Sequence, residues 1–181
     1  MAQTTFISLL RGINMMRHNR IKMPELKKIF TSLGHTDIVT YIQSGNIVFK
    51  SKTLDVDKIS IEIVEKVNEV FGYAIKGLVI SKEDLEIIFL SNPFLKREDI
   101  DISKLHVTLL NQCPTAINLE RIKDFNSHPD DEYIVVNKCI YLYCPNGYGR
   151  TKLTNNMFEK KLDTTATTRN WRTITKLSEL S

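Results

Sequence analysis

Phe6-Ile7-Ser8-Leu9-Leu10, then Arg11-Gly12-Ile13-Asn14, and further on Ile38-Val39-Thr40-Tyr41-Ile42-Gln43-Ser44-Gly45-Asn46-Ile47-Val48-Phe49 decide how this chain folds. The first run is short and apolar, and Gly12 breaks it, so it reads as a buried strand. Pro24 sits where a first helical position belongs, since its fixed φ and missing N–H suit that place. Leu26, Ile29, Phe30 and Leu33 follow at helical spacing, and Gly34 stops the helix. Ile38–Ile42 and Ile47–Phe49 are β-rich, and Gln43–Asn46 turns one into the other as a hairpin. Val56, Ile59, Ile63, Val67 and Val70 predict a second helix ending at Gly72, and Ala74–Ile80 a fourth strand. Strand, helix, strand, strand, helix, strand is the split-βαβ, ferredoxin-like order.

The second half repeats the pattern in outline. Ser81-Lys82-Glu83-Asp84 offers a capping-like start to a helix through Leu85, Ile88 and Phe89, ended by Asn92-Pro93-Phe94. Lys96–Lys104 reads as a charged loop, His106–Leu110 as a strand and Ala116–Phe125 as a helix. Ser127–Asp131 reads as a loop. Tyr133–Val136 and Cys139–Tyr143 form a hairpin about Asn137-Lys138. Helices over Asn155–Leu162 and Thr168–Leu180 close the chain, with no eighth strand evident. The expected class is α+β, with two ferredoxin-like subdomains, the second incomplete or variant. Residues 1–80 form the first, 81–104 a connector and 105–181 the second.

Topology then makes a local prediction. With strand one running up, the loop that follows it and the turn between strands two and three lie at the same end of the sheet. Arg11, Gly12 and Asn14 should therefore neighbour Gln43, Ser44, Gly45 and Asn46. Glycines let backbone N–H groups approach a ligand. Arg11 presents a fork that fits phosphate or carboxylate, and the amides and hydroxyl supply neutral donors and acceptors. One reading is a polar pocket for an anionic ligand. The competing reading is that these side chains hydrogen-bond one another and cap the loops, as polar turn residues do.

Leu9-Leu10-Arg11-Gly12-Ile13-Asn14, Tyr41–Phe49 and Thr168-Arg169-Asn170-Trp171-Arg172-Thr173 together resemble the bacterial family called domain of unknown function 1697. The resemblance runs from near residue 5 to the C-terminus. It implies a cytosolic-type protein of two ferredoxin-like parts, with no established activity. The shared motif positions fall on Arg11, Gly12 and Asn14, on Gln43–Asn46, and on Arg169, Asn170 and Trp171. This chain carries Met15-Met16-Arg17-His18-Asn19 where members often have a small, glycine-containing stretch, which puts a backbone cradle there in question.

The last motif reads as a helix start, with Thr168 as N-cap and Arg169 and Arg172 on one face. Exposed N–H groups beside two guanidinium groups would make an anion site. An ion pair for Arg169 is the alternative, and Trp171, Ile174 and Leu177 are expected to pack inward. Asn146-Gly147-Tyr148-Gly149-Arg150-Thr151-Lys152 lies between a strand and a helix as a phosphate loop would, but its order is not that of a P-loop, and a plain turn followed by a basic loop is the favoured reading.

The 181 residues suffice for one domain or two small ones, burying roughly 70% of the unfolded surface. An apolar share of 42% and a charged share of 25% exclude a disordered chain, a collagen and a small disulfide scaffold. No apolar run approaches the roughly 18 residues of a membrane span. The N-terminal run is too short for a signal peptide, so a cytoplasmic location is expected. The odd number of cysteines fits a reducing compartment. Cys139 and Cys144, on opposite faces of a strand, read as buried small hydrophobes rather than metal ligands.

Residues 1–34 carry six Lys/Arg against Glu25, and residues 145–181 carry seven against three acids. A net acidic middle separates these basic ends. His128, Asp130, Asp131 and Glu132 are consecutive enough to read as a solvated turn, and no metal is implied. His18, His35 and His106 are scattered; no G-x-S-x-G motif and no Cys–His pair stands out, and no acid–base residue can be placed beside the pocket. Three classes remain: a binding module for a phosphate-bearing small molecule or nucleotide, with no cofactor; an enzyme on a small anionic metabolite; and an interaction module that forms a homodimer. Nucleic acid is a weaker partner, because the basic clusters carry few aromatics. In the favoured class Arg11 and Arg169 neutralise the ligand, Asn14, Gln43, Ser44 and Asn46 orient it, and Gly12, Gly45 and Asn170 complete the expected binding set.

Overall fold

The computed structural model describes residues 3–15, 18–123, 125 and 129–181. The chain divides into two compact units, Met1–Ile87 with Lys176–Ser181, and Ile88–Thr175. No helix among the described residues is long and apolar enough to cross a membrane.

In the first unit β1 (Thr4–Arg11), α1 (Met23–Ser32), β2 (Thr36–Tyr41), β3 (Asn46–Ser51), α2 (Val56–Phe71) and β4 (Lys76–Ser81) follow one another. The strands form an antiparallel sheet in the order β2-β3-β1-β4, the ferredoxin-like arrangement that the periodicity predicts. Pro24 takes the second helical position of α1 rather than the first, since Met23 already has helical geometry. Gly34 (φ 82°) ends α1 as expected. Asp55 caps α2 by accepting from Lys58 N at 3.0 Å, and left-handed Gly72 ends it. Leu26, Ile29 and Phe30 of α1 and Ile59, Ile63 and Val67 of α2 pack on Phe6, Leu10, Ile47 and Phe49 of the sheet. Each such side chain stabilises the unit by about 1.5–3 kcal/mol. Val70, the fifth position of the predicted α2 stripe, is exposed instead, and from the last turn Phe71 packs against this core.

The second unit begins within α3 (Lys82–Leu90), whose start is capped by Ser81 as the sequence suggests: Asp84 N donates to Ser81 Oγ at 3.0 Å. It continues through a 3-10 turn at Pro93–Lys96, and a second at Ile102–Lys104 within the stretch expected to be loop, to β5 (Leu105–Leu110), α4 (Ala116–Glu120), β6 (Glu132–Val136), β7 (Cys139–Tyr143), α5 (Asn155–Leu162), β8 (Ala166–Asn170) and the start of α6 (Trp171–Leu180), whose residues from Lys176 on belong to the first unit. The sheet order β6-β7-β5-β8 is that of the first unit. The expectation of an incomplete second copy is thereby corrected. The eighth strand is Ala166-Thr167-Thr168-Arg169-Asn170, which lacks the alternating apolar signal by which strands are recognised. It is nonetheless paired along its length with β5. Its polarity is accommodated locally: the Thr168 hydroxyl meets Thr108 Oγ1 at 2.7 Å and donates to Asn155 Oδ1 at 2.7 Å. The helix predicted over Ala116–Phe125 is shorter, and Asp124, Asn126, Ser127 and His128 lie outside the described residues.

Candidate functional site

The two predicted corners meet. Leu10 N donates to Gly45 O at 2.7 Å, which brings the end of β1 against the β2–β3 turn. Gly45 is required there twice over. Its φ is 75°, and a Cβ would lie 2.7 Å from Leu10 Cβ and 3.1 Å from Leu10 O. The loop after β1 doubles back: Asn14 N donates to Asn19 O, and Asn19 Nδ2 donates to Gly12 O at 2.7 Å, where Gly12 supplies a φ of 87°.

Asn14 is the clasp of this corner. Its Oδ1 accepts from Ile21 N at 2.9 Å, and its Nδ2 donates to Ile21 O at 2.9 Å and to Gln43 O at 2.8 Å. The amide pairs with Ile21 as a strand neighbour would and ties in the turn with its second hydrogen. Asn46 is wholly buried, and its Nδ2 donates to Ser44 Oγ at 2.8 Å and to Tyr41 O at 3.3 Å. These two amides thus follow the loop-capping reading. Both Nδ2 hydrogens of each serve the protein's own acceptors. Gln43 and Ser44 lie exposed at the surface of the corner, and Arg11 is half-buried.

A residue that local spacing does not point to joins them. In the β1–β4 ladder Arg11 stands directly opposite Lys76, so two cations project from the same face at the end of the sheet. The second unit offers an internal comparison. Leu110 N donates to Lys138 O at 2.8 Å, the counterpart of the Leu10–Gly45 bond. Leu10 pairs with Gly77 and Leu110 with Ala166. One position further on, the second unit therefore has Asn111 and Thr165, both neutral, where the first has Arg11 and Lys76.

The turn is also strained. Ile42 has a φ of 49°. A β-branched residue in this region is an outlier costing roughly 1–2 kcal/mol. Burial does not repay it, since Ile42 is 53% exposed. The carbonyls on either side are held by the bonds from Asn46 to Tyr41 O and from Asn14 to Gln43 O.

The C-terminal motif is built differently from its sequence reading. Thr168 is not the N-cap; the helix begins at Trp171, and Asn170 Oδ1 caps it by accepting from Thr173 N at 2.8 Å. Arg169 lies on β8, so it does not share a helix face with Arg172, and its Nη1 donates to Thr168 O at 3.0 Å. Trp171 is buried as expected and stacks on Phe89, ring centroids 5.4 Å apart.

Elsewhere in the second unit the segment Asn146–Lys152 is tied to carboxylates. Asn146 Nδ2 donates to Asp130 Oδ2 at 3.2 Å and Thr151 Oγ1 to Asp131 Oδ2 at 2.6 Å. Acids at both anchor points oppose a phosphate there. No group of His, Cys, Asp and Glu among the described residues could hold a metal, and His128 is not among them. Burial pushes the Cys144 thiol up to about 12, which keeps it protonated and inert. Burial also lowers the pKa of His106, whose ring stacks on Tyr148 at 4.7 Å. An open groove of about 730 Å³ lies beside β6, lined by Leu119, Ile122, Phe125, Tyr133 and Val135, with Glu120, Asp131 and Glu132 against Lys123 at its edge. That balance of charge does not suit an anion.

Residues 3–141 match the family described as "Protein of unknown function (DUF1697)". No curated protein matches the chain. Among solved structures, the conserved bacterial protein SP0830 from Streptococcus pneumoniae is similar, with a TM-score of 0.71 and 22% sequence identity over 99% of each chain. At that identity the likeness shows the fold.

Proposed function

The chain belongs to the DUF1697 family, whose description names no activity, so we propose its function from its own geometry: a cytoplasmic module whose first unit binds a phosphate-bearing small ligand. Arg11 and Lys76 neutralise the ligand's charge, Gln43 and Ser44 orient it, and Gly12 and Gly45 give the backbone the turns that bring these groups together. Asn14 and Asn46 hold the corner rather than the ligand.

One observation carries this reading. In the first unit two cations, Arg11 and Lys76, stand opposite each other at a corner where the second unit, with the same topology, has the neutral Asn111 and Thr165. Guanidinium and ammonium groups give an anion charge-assisted hydrogen bonds, which supports this corner as the place where an anionic ligand binds.

Isothermal titration of the full chain with tripolyphosphate tests it. A hydrogen bond to a charged group contributes about 1.5–3 kcal/mol, so Arg11→Ala or Lys76→Ala should each weaken binding by roughly tenfold to a hundredfold. Affinity should also fall as salt rises. The reading fails if the wild type does not bind, or if both variants bind as the wild type does.

A further inference from the structure

We infer that the groove beside β6 is a binding site of its own, and that its ligand is a small organic cation with an apolar body, an arylalkylamine being the representative class. The second unit alone carries this site, which asks for a charge opposite to that taken by the corner of the first. At about 730 Å³ the groove has the size of a small-molecule site, and its lining has the matching make-up, apolar and aromatic with few polar groups. Leu119, Phe125, Tyr133 and Val135 pack against the core of the unit yet stay half-buried, so apolar surface is left in the groove. Covering that surface is favourable for an apolar ligand body.

The charge along the groove does not cancel. Glu120 is matched by Lys123, whose Nζ lies 3.5 Å from Oε2, and Glu132 by Arg97 at 2.8 Å. Asp131 is the remainder. Its Oδ2 accepts from the Thr151 hydroxyl at 2.6 Å, a neutral donor, and no cation among the described residues pairs with it. Asp131 is also half-buried, so water and salt screen its charge less than those of the exposed acids around it. An ammonium group supplies the missing countercharge and three donors, while the groove takes the body. An anion would meet the carboxylate, and a wholly apolar molecule would leave it unmatched. The combination selects an amphipathic amine.

Titrations of the full chain with 2-phenylethylamine and with 2-phenylethanol compare ligands that share a body and differ in the charged group. Wild type is expected to bind the amine about tenfold more tightly at low salt. Asp131→Asn keeps an acceptor for Thr151 and removes the charge. It is expected to bring the amine down to the affinity of the alcohol and to leave the alcohol unchanged. Lys123→Gln removes the cation that lines the groove and is expected to tighten the amine about threefold, a gain that damage to the fold would not produce. The inference is overturned if wild type does not bind the amine, or binds amine and alcohol equally. It is overturned as well if Asp131→Asn keeps the preference, or if amine affinity does not rise in Lys123→Gln. A dimer that forms in wild type and is lost in Asp131→Asn also overturns it, since a second copy would then fill the groove.

Discussion

Asn14→Asp conserves shape and volume and is expected to destabilise the first unit severely. In the native corner Nδ2 donates to Ile21 O at 2.9 Å and to Gln43 O at 2.8 Å, while Oδ1 accepts from Ile21 N. The aspartate keeps the last of these bonds. Its second oxygen faces the two carbonyl oxygens with no hydrogen to share. Two lost bonds at about 1–1.5 kcal/mol each, with repulsion between the carboxylate and two carbonyls, give a cost of about 3 kcal/mol. For a chain of this length that is a fall in Tm of roughly 6–12 °C. Asp tolerates the left-handed backbone of residue 14 (φ 51°), so strain does not confound the comparison. The sign with pH follows. The protonated acid can donate one of the missing bonds and its native pKa is raised, so the penalty is full above that pKa and is relieved as pH falls through it. Urea unfolding at pH 7 and pH 5 measures this, with Asn14→Ala, which loses all three bonds and has no acid to protonate, as companion. The assignment of Asn14 as the clasp is refuted if Asn14→Asp unfolds within about 0.5 kcal/mol of wild type at pH 7. It is equally refuted if the aspartate variant recovers nothing relative to the alanine variant at pH 5.

Gly45→Ala should cost about 2–4 kcal/mol, because a left-handed backbone and a contact of 2.7 Å with Leu10 Cβ act together. Gly34→Ala, with a similar φ and nothing within 4 Å, should cost only about 1 kcal/mol in the same denaturation assay; equal losses would show that the close approach has no weight. His35 is buried between Phe30 and Phe49, and burial lowers its pKa from 6.5 against a smaller opposing pull from Glu62. Its native pKa lies below the unfolded one, so between the two the unfolded chain binds more protons and stability falls as pH drops below about 6.5, by up to about 1.4 kcal/mol per pH unit. His35→Phe should flatten the stability profile between pH 6.5 and 5 relative to wild type; matching slopes would remove His35 as the cause.

The origin of the candidate site divides along the same line as these tests. That the Arg11 and Gln43 corners adjoin was legible from the order of elements, because antiparallel neighbours leave their loops on fixed ends of a sheet. Which groups of those corners face outward was not. Asn14 and Ser44 are both short polar turn residues, and only the positions of Ile21 O and Gln43 O reveal that the first is consumed internally. Lys76 was invisible for a different reason. Its neighbour is set by the register of β4 on β1, and a shift of one residue would have sent it to the other face.

What the amino-acid order determined unaided is what depends on short separations: the helical stripes of α1 and α2, the glycine stops at Gly34 and Gly72, the hairpin about Gly45, and hence the class of fold. Tertiary structure alone decided β8, the direct opposition of Arg11 and Lys76, and the left-handed backbone of Ile42. The threonines of β8 carry no alternating apolar signal; partners on β5 and α5 make them a strand. Periodicity and turn chemistry act through the chain's nearest neighbours, whereas hydrogen-bond partners, strand register and imposed strain are chosen by residues that meet only after folding.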